Sequence, residues 1–111
     1  MSEIITLKRN NDLRRLYSRG RSYSGSVLVT YVMKNRQGVN RIGITTSKKT
    51  GKAAMRNRSR RIIREAYRIL QPELRPGYDL VFVARARTPF VKTDDILRTM
   101  KKELKEAGVL S

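Results

Sequence analysis

The chain has 111 residues, and its 26 lysine and arginine residues against 9 acidic ones give a formal charge of +17. So large an excess of positive charge repels itself in a folded domain and is typical of proteins that bind nucleic acid, whose counterions are released on binding. Cysteine and histidine are both absent, which excludes zinc fingers, disulfide frameworks and reactions that need an imidazole base.

The first predicted element is a short helix. Asn10 or Asn11 caps it, it runs to about Arg19, and Gly20 ends it in the left-handed conformation that favours glycine. Its apolar face is formed at helical spacing by Leu13, Leu16 and Tyr17.

Residues 22–33 are rich in Val, Tyr and Thr and predict one strand or two short ones. Residues 35–38 supply a turn, and residues 41–46 are predicted as the returning strand. Ile42 and Ile44 share one face of that strand. The other face is expected to be open for a ligand because it carries Arg41, Gly43 and Thr45.

Residues 47–51 form a short basic loop that leads into an arginine-rich helix, which ends before Pro72. At about 100° per residue, one side of this helix carries Arg56, Asn57, Arg60, Arg61, Arg64, Tyr67 and Arg68. The opposite side carries Ser59, Ile62, Ile63, Ala66, Ile69 and Leu70, and Met55 is also assigned to the core. The pattern predicts a two-sided helix that is apolar toward the protein and cationic toward a polyanion.

The C-terminal third predicts a turn at Pro76 and Gly77, a strand over residues 78–84 and a final helix. Thr93 or Asp94 caps that helix, which runs to about Ala107. Its buried stripe is formed by Ile96, Leu97, Met100 and Leu104. The order is α-β-β-β-α-β-α, and the economical arrangement is an α+β fold, a two-layer α/β sandwich.

The acidic residues do not predict a metal site, because only Asp94 and Asp95 are adjacent and helix capping explains that pair. A two-metal nuclease centre needs several carboxylates that converge on ions about 4 Å apart. We therefore expect no catalytic residue, no protein-bound metal and no other cofactor, and we expect the isolated chain to be catalytically inert.

Residues 48–65 resemble the signature of the bacterial ribonuclease P protein subunit, in which Arg56, Asn57 and Arg58 form the RNR motif. Residues 12–22 resemble the first helix and following turn of that family. Residues 40–49 resemble the strand that leads into the motif, and residues 79–85 resemble the last strand. The resemblance covers nearly the whole chain in the same order and spacing.

The resemblance implies a ribosomal protein S5 domain 2-like fold with a left-handed β-α-β crossover, whereas general connection rules favour the right-handed form. It also implies a function: the family's protein binds a catalytic RNA, ribonuclease P RNA, and the complex removes the 5′ leader from precursor tRNA. The RNA carries out the chemistry, and Mg²⁺ is expected at the RNA active site.

Site residues follow from the resemblance by position. Those expected to contact the catalytic RNA are Lys48, Lys49, Lys52, Arg56, Asn57, Arg58, Arg61 and Arg68. Those expected to contact the precursor-tRNA leader are Leu13, Tyr17, Tyr31, Arg60 and Arg64. The family often has phenylalanine at both first-helix positions; Leu13 offers less surface for base stacking. A tyrosine on an apolar face is also compatible with simple packing.

Three classes of function remain in competition. A structural RNA-binding protein of ribosomal type fits the charge, size and fold class as well as a ribonuclease P subunit does, and the RNR motif favours the latter. A DNA-binding transcription factor is disfavoured because no helix-turn-helix spacing precedes the basic helix.

A membrane partner is also disfavoured. No stretch approaches the roughly 20 apolar residues of a transmembrane helix or the apolar core of a signal peptide. No segment places bulky aromatic residues opposite lysines, as interfacial helices do. We expect a single RNA-binding domain over residues 1–111 in the cytoplasm, with no DNA or membrane partner.

Overall fold

The computed structural model describes residues 4–111, which form one mixed sheet of five strands packed against three α-helices. In chain order the elements are β1 (Ile5–Thr6), α1 (Asn10–Arg19), β2 (Arg21–Ser24), β3 (Leu28–Lys34), β4 (Arg41–Thr45), α2 (Ala53–Leu70), β5 (Tyr78–Ala84) and α3 (Thr93–Glu106). Short 3₁₀ turns lie at Lys48–Thr50, Gln71–Glu73 and Thr88–Phe90. The predicted order is confirmed from α1 onward, and the two-residue strand β1 is an addition.

The strand order is β1-β4-β5-β3-β2. β3 is antiparallel to both β2 and β5, whereas β4 is parallel to β1 and β5. β4 was predicted to return beside β3, and that pairing is wrong because β5 lies between them. Leu80, Val81 and Phe82 are fully buried on successive positions of β5, and a strand that is apolar on both faces belongs in the centre of a sheet.

α2 connects the neighbouring parallel strands β4 and β5 and packs with α3 on one face of the sheet. The ring of Tyr67 on α2 meets Phe82 at 5.7 Å between centroids. On α3, Ile96, Met100 and Leu104 are fully buried as predicted, with Leu97 partly buried beside them. This β4-α2-β5 unit is the predicted crossover; its left-handed sense stays a prediction from the family resemblance.

α1 covers part of the opposite face, where Leu16 is fully buried against Leu7 and Val81. The face of β4 predicted to be open is therefore covered at Gly43. A Cβ at that position would lie 3.2 Å from Leu13 Cδ2 and 3.8 Å from Leu7 Cβ, so glycine is present because α1 and the N-terminal segment approach closely, and this part of the prediction is wrong.

Arg41, on that same face, is also committed to the protein. Its guanidinium donates two hydrogen bonds to the buried Asp79 carboxylate, at 2.8 and 2.7 Å, and Asn35 donates a third at 2.8 Å. The hydrogen bonds that Arg41 donates to Asp79 are the main cause that raises the Arg41 pKa, with Asp12 adding attraction. This network ties β4, β5 and the turn after β3 together, so Arg41 is not available to a ligand.

The predicted caps of α1 are both wrong. Arg9, not Asn10 or Asn11, is the N-cap residue, and it makes no side-chain capping bond. Gly20 is extended, with φ −73° and ψ 161°. Glycine is required there for space, because a Cβ would lie 2.4 Å from the Leu16 carbonyl oxygen.

α3 begins at Thr93 after the N-cap residue Lys92, so neither Thr93 nor Asp94 is the cap. The Lys92 backbone N–H donates to the Asp95 carboxylate at 3.2 Å. An acidic side chain in the first turn therefore still satisfies an amide at the helix start, but it is Asp95 at the third helical position that does so.

Candidate nucleic-acid interface

The segment before α2 places three lysines at the positive end of that helix. The Ser47 hydroxyl accepts a hydrogen bond from the Lys49 backbone N–H at 3.3 Å and starts the 3₁₀ turn. Gly51 then adopts φ 129°, a conformation that side-chain-bearing residues rarely adopt. Lys48, Lys49 and Lys52 are exposed, and the first turn of α2 contains no acidic residue. This end of the helix suits a phosphate group.

α2 is two-sided, as predicted. Its buried residues are Ser59, Ile62, Ile63, Ala66, Tyr67 and Leu70. Its exposed polar side chains include Asn57, Arg61, Arg64 and Arg68, and Arg56 and Arg60 lie partly buried at the border. A wall of guanidinium groups thus faces outward along much of the helix.

The buried side is turned relative to the prediction by roughly 30° at 100° per residue. Tyr67, predicted on the cationic side, is only 1 % exposed because its ring packs on Phe82. Ile69, predicted as core, is 47 % exposed, and Met55 is 36 % exposed. The core assignments of Ile69 and Met55 are wrong, and Tyr67 packs in the core although helical spacing places it beside the arginines. The border arginines Arg56 and Arg60 lie closer to the core for the same reason.

The cations of α2 differ in how far the protein pairs them. The salt bridges within residues 4–111 leave Arg56, Arg61 and Arg64 without a carboxylate partner. Arg68 pairs with Glu65, and this hydrogen bond lowers the Glu65 pKa and raises that of Arg68. Both groups of that pair are about half exposed, so the pair is weak and exchangeable.

The RNR motif is divided between two sides of the helix. Arg56 and Asn57 lie on the cationic side, and Asn57 accepts a hydrogen bond from Arg60 at 3.4 Å. Arg58 lies roughly 100° further round from Asn57, where its Nε donates to the Pro89 carbonyl at 2.8 Å. The structure therefore does not bring the three motif residues onto one face.

Tyr17 and Tyr31 meet on the α1 face of the sheet. Their rings form an edge-to-face contact with 4.9 Å between centroids and an interplanar angle of 84°. Tyr17 is 41 % exposed, and its hydroxyl shares a hydrogen bond of 3.1 Å with the Thr45 hydroxyl at the end of β4. The pair combines an accessible ring with a fixed orientation, which suits a nucleotide base.

A cleft of about 600 Å³ continues along the same face. Val29 and Val83 line its floor and are register partners on β3 and β5, and Val29 shares a face with Tyr31 two residues later. Its rim includes Lys49, Arg85 and Arg87. Arg85 and Arg87 were not predicted as site residues; the available signal was the presence of two arginines just after the last strand.

The remaining predicted leader residues lie elsewhere. Leu13 is partly buried against β4 near Gly43. Arg60 and Arg64 are on α2, whose apolar side packs on the opposite face of the sheet from α1. The structure brings Tyr17 and Tyr31 together but does not place Arg60 and Arg64 in the same cleft.

Residues 4–111 contain no group of three or more acidic side chains that is arranged to hold a metal ion. None of their helices is both long enough and apolar enough to cross a membrane.

The family model described as Ribonuclease P matches residues 1–108 of the chain. This chain belongs to the ribonuclease P protein family. A relative from Clostridium botulinum strain 657, named ribonuclease P protein component, is 43% identical over 104 residues, which cover 93% of this chain and 94% of the relative. A protein of the same name from Clostridioides difficile is 41% identical over 93% of this chain and 91% of its own length.

Solved structures agree with the family assignment. The RNase P protein of Staphylococcus aureus superposes with a TM-score of 0.85 at 30% identity, over 98% of this chain and all of that one. The RNase P protein of Thermotoga maritima gives a TM-score of 0.81 at 26% identity, over 95% and 97% of the two chains. The predicted α+β fold class of the family is therefore confirmed.

Proposed function

We propose that this protein is the protein component of a ribonuclease P that binds the ribonuclease P RNA and the 5′ leader of precursor tRNA. In this proposal the complex removes the leader and produces the mature 5′ end of the tRNA. The observation that carries the proposal is the cationic side of α2, where Arg56, Arg61 and Arg64 have no carboxylate partner among residues 4–111. Membership of the ribonuclease P protein family is the reason to propose ribonuclease P RNA as the partner.

The catalytic RNA is proposed to lie against the start and the outward side of α2. Arginine suits this contact because its planar fork pairs with phosphate in two places and stacks on bases. Lys48, Lys49 and Lys52 add point charges at the positive end of the helix. Asn57 adds a donor and an acceptor that can read a base edge or a 2′-hydroxyl.

The leader is proposed to lie in the cleft on the α1 face, with a base stacked on the exposed ring of Tyr17. Tyr31 holds that ring in place through their edge-to-face contact, and Leu13 packs between α1 and β4. A leader RNA that passes Thr45 at the end of β4 would next meet the basic turn that precedes α2. Arg60 and Arg64 are proposed to contact the leader after it leaves the cleft.

The chemistry is proposed to belong to the RNA. Phosphodiester cleavage with metal ions needs converging carboxylates when a protein carries it out, and the nine acidic residues of this chain are scattered or paired with arginine. We propose that Mg²⁺ is held by RNA phosphates and that the complex works in the cytoplasm.

Reconstitution tests the proposal directly. The protein is mixed with a bacterial ribonuclease P RNA transcript and a precursor tRNA at low magnesium, and leader release is followed on a gel. We expect faster release than with the RNA alone and no release with the protein alone. Tight RNA binding without any stimulation would instead favour a structural RNA-binding protein of ribosomal type.

A further inference from the structure

Phe90 is the most exposed large hydrophobic side chain among residues 4–111, with 73 % of its surface accessible. It ends the 3₁₀ turn between β5 and α3. The aromatic ring contacts found in the described chain are Tyr17 with Tyr31 and Tyr67 with Phe82, so the Phe90 ring meets no other ring there. An aromatic ring held in water contributes little to folding, and at this exposure its face is accessible to a partner.

The backbone beneath Phe90 is fixed from two sides. Thr88 is fully buried; its hydroxyl donates to the Val27 carbonyl and accepts from the Arg85 backbone N–H, both at 2.7 Å. Pro89 is buried, and its carbonyl accepts the 2.8 Å hydrogen bond from Arg58. The ring therefore projects from a braced turn, and a braced aromatic side chain loses little conformational entropy on binding.

The surroundings of the ring are cationic. Arg58 of α2 reaches the carbonyl of the preceding residue, and the exposed side chains of Arg87 and Lys92 lie three residues before and two residues after Phe90 in the chain. The nearest acid along the chain, Asp94, is four residues away, and Asp95 is engaged with Arg98 and the Lys92 backbone. An aromatic ring among unpaired cations suits an unpaired nucleic-acid base flanked by phosphates better than an apolar protein surface.

We propose that Phe90 stacks on an unpaired base of the ribonuclease P RNA, with Arg58 and Arg87 contacting the flanking phosphates. This rests on the RNA binding proposed above and extends that interface around α2 to the side away from Arg56 and Asn57. It also gives a reason for the divided RNR motif: Arg58 braces the Phe90 turn through Nε and keeps the rest of its guanidinium for RNA.

The chain contains no tryptophan, so Phe90→Trp creates a single fluorescent reporter at the proposed contact. We expect a bacterial ribonuclease P RNA transcript to quench this tryptophan and to protect it from acrylamide. The Phe90→Trp protein should bind the transcript about as tightly as the unmodified protein, because an aromatic face is retained.

Phe90→Ala should weaken binding of the same transcript roughly 5- to 150-fold, the range typical of one lost base stack. The salt dependence of binding should not change, because no phosphate contact is removed. Ile69→Ala is the matched control, since it also removes an exposed apolar side chain from the α2 side of the protein, and we expect its affinity to stay within about twofold. Thermal unfolding by circular dichroism checks that each variant is folded.

Equal affinity of the Phe90→Ala and unmodified proteins, or an acrylamide-accessible tryptophan in the saturated complex, would overturn the Phe90 proposal alone. Loss of self-association in sedimentation with RNA affinity intact would overturn it in favour of a second copy of the chain. If the unmodified protein itself fails to bind the transcript, the proposed function fails, and the proposal for Phe90 fails with it.

Discussion

Glu103 is a buried carboxyl group whose ionisation should set the pH dependence of stability. It lies on α3, is 3 % exposed, and accepts a hydrogen bond of 2.7 Å from the Thr30 hydroxyl through Oε1. Oε2 is buried and has no hydrogen-bond partner. Burial raises the Glu103 pKa to about 7, against an opposing effect of the Thr30 hydrogen bond and with a smaller contribution from Glu106. Its reference pKa is 4.5.

The direction in which stability changes with pH depends on whether the folded or the unfolded state retains the Glu103 proton. Between pH 4.5 and about pH 7 the unfolded chain has lost the Glu103 proton while the folded protein retains it. Stability therefore falls as the pH rises through this window and levels off above it. The difference between a pKa of 4.5 and one of about 7 corresponds to roughly 3 kcal/mol.

Glu103→Gln should remove this dependence. The amide oxygen can still accept the Thr30 hydrogen bond, and no charge is buried. We expect the variant to match the unmodified protein near pH 4.5 and to exceed its free energy of unfolding by about 2 to 3 kcal/mol at pH 8. Urea unfolding at four pH values between 4.5 and 8 measures the difference.

Glu73→Gln is the matched control, because Glu73 is exposed and removing its charge should leave the pH profile of the unmodified protein in place. If the unfolding free energies of the Glu103→Gln and unmodified proteins run parallel across this range, Glu103 is ionised in the folded protein and the reasoning from burial is wrong.

Two further predictions concern the leader contact and the entry to α2. Arg60→Ala and Arg64→Ala should each weaken binding of precursor tRNA to the reconstituted complex more than binding of mature tRNA; equal losses for the two RNAs in a competition assay would argue against a leader contact. Gly51→Ala should lower the free energy of unfolding by about 1 to 3 kcal/mol, because position 51 has φ 129° and a Cβ there would lie 3.0 Å from Met55 Cβ. Urea unfolding checks this value, and an unchanged midpoint would show that the turn relaxes without strain.

Local signals in the sequence predicted the helices and strands that are bounded by proline or glycine. β5 spans the predicted residues 78–84 because an apolar run follows Pro76 and Gly77. α2 lies between Gly51 and Pro72, which stop a helix for clear conformational reasons. The two-sided character of α2 followed from helical periodicity, and the family resemblance supplied the identity of its partner.

Long-range packing decided what the sequence left open. No local pattern indicates that β5 inserts between β3 and β4, or that the two residues of β1 pair with β4. The rotation of the buried side of α2 by roughly 30° from its predicted position depends on the packing of the Tyr67 ring against Phe82. Gly20 was assigned to a left-handed turn by a statistical preference, whereas the close approach of the Leu16 carbonyl is what requires glycine.

The candidate site was only partly predictable, because its residues are brought together by long-range packing. Tyr17 and Tyr31 lie on different elements, so their assignment to one site came from the family resemblance, and their ring contact was not predicted. Arg58 was grouped with Arg56 and Asn57 through the RNR motif of the family, whereas helical geometry separates it from them. Arg85 and Arg87 reach the cleft only because β5 ends there.

The central claim is that unpaired arginines on the outward side of α2 form an electrostatic interface with ribonuclease P RNA. The most direct measurement is the equilibrium affinity for the RNA transcript over a range of salt concentrations, for the unmodified protein and for Arg56→Ala and Arg61→Ala. With roughly six phosphates contacted, the log-log slope should be about −4, and each variant should bind more weakly with a slope reduced in magnitude by about 1. A slope near zero, or variants with unchanged affinity and slope, would contradict the claim.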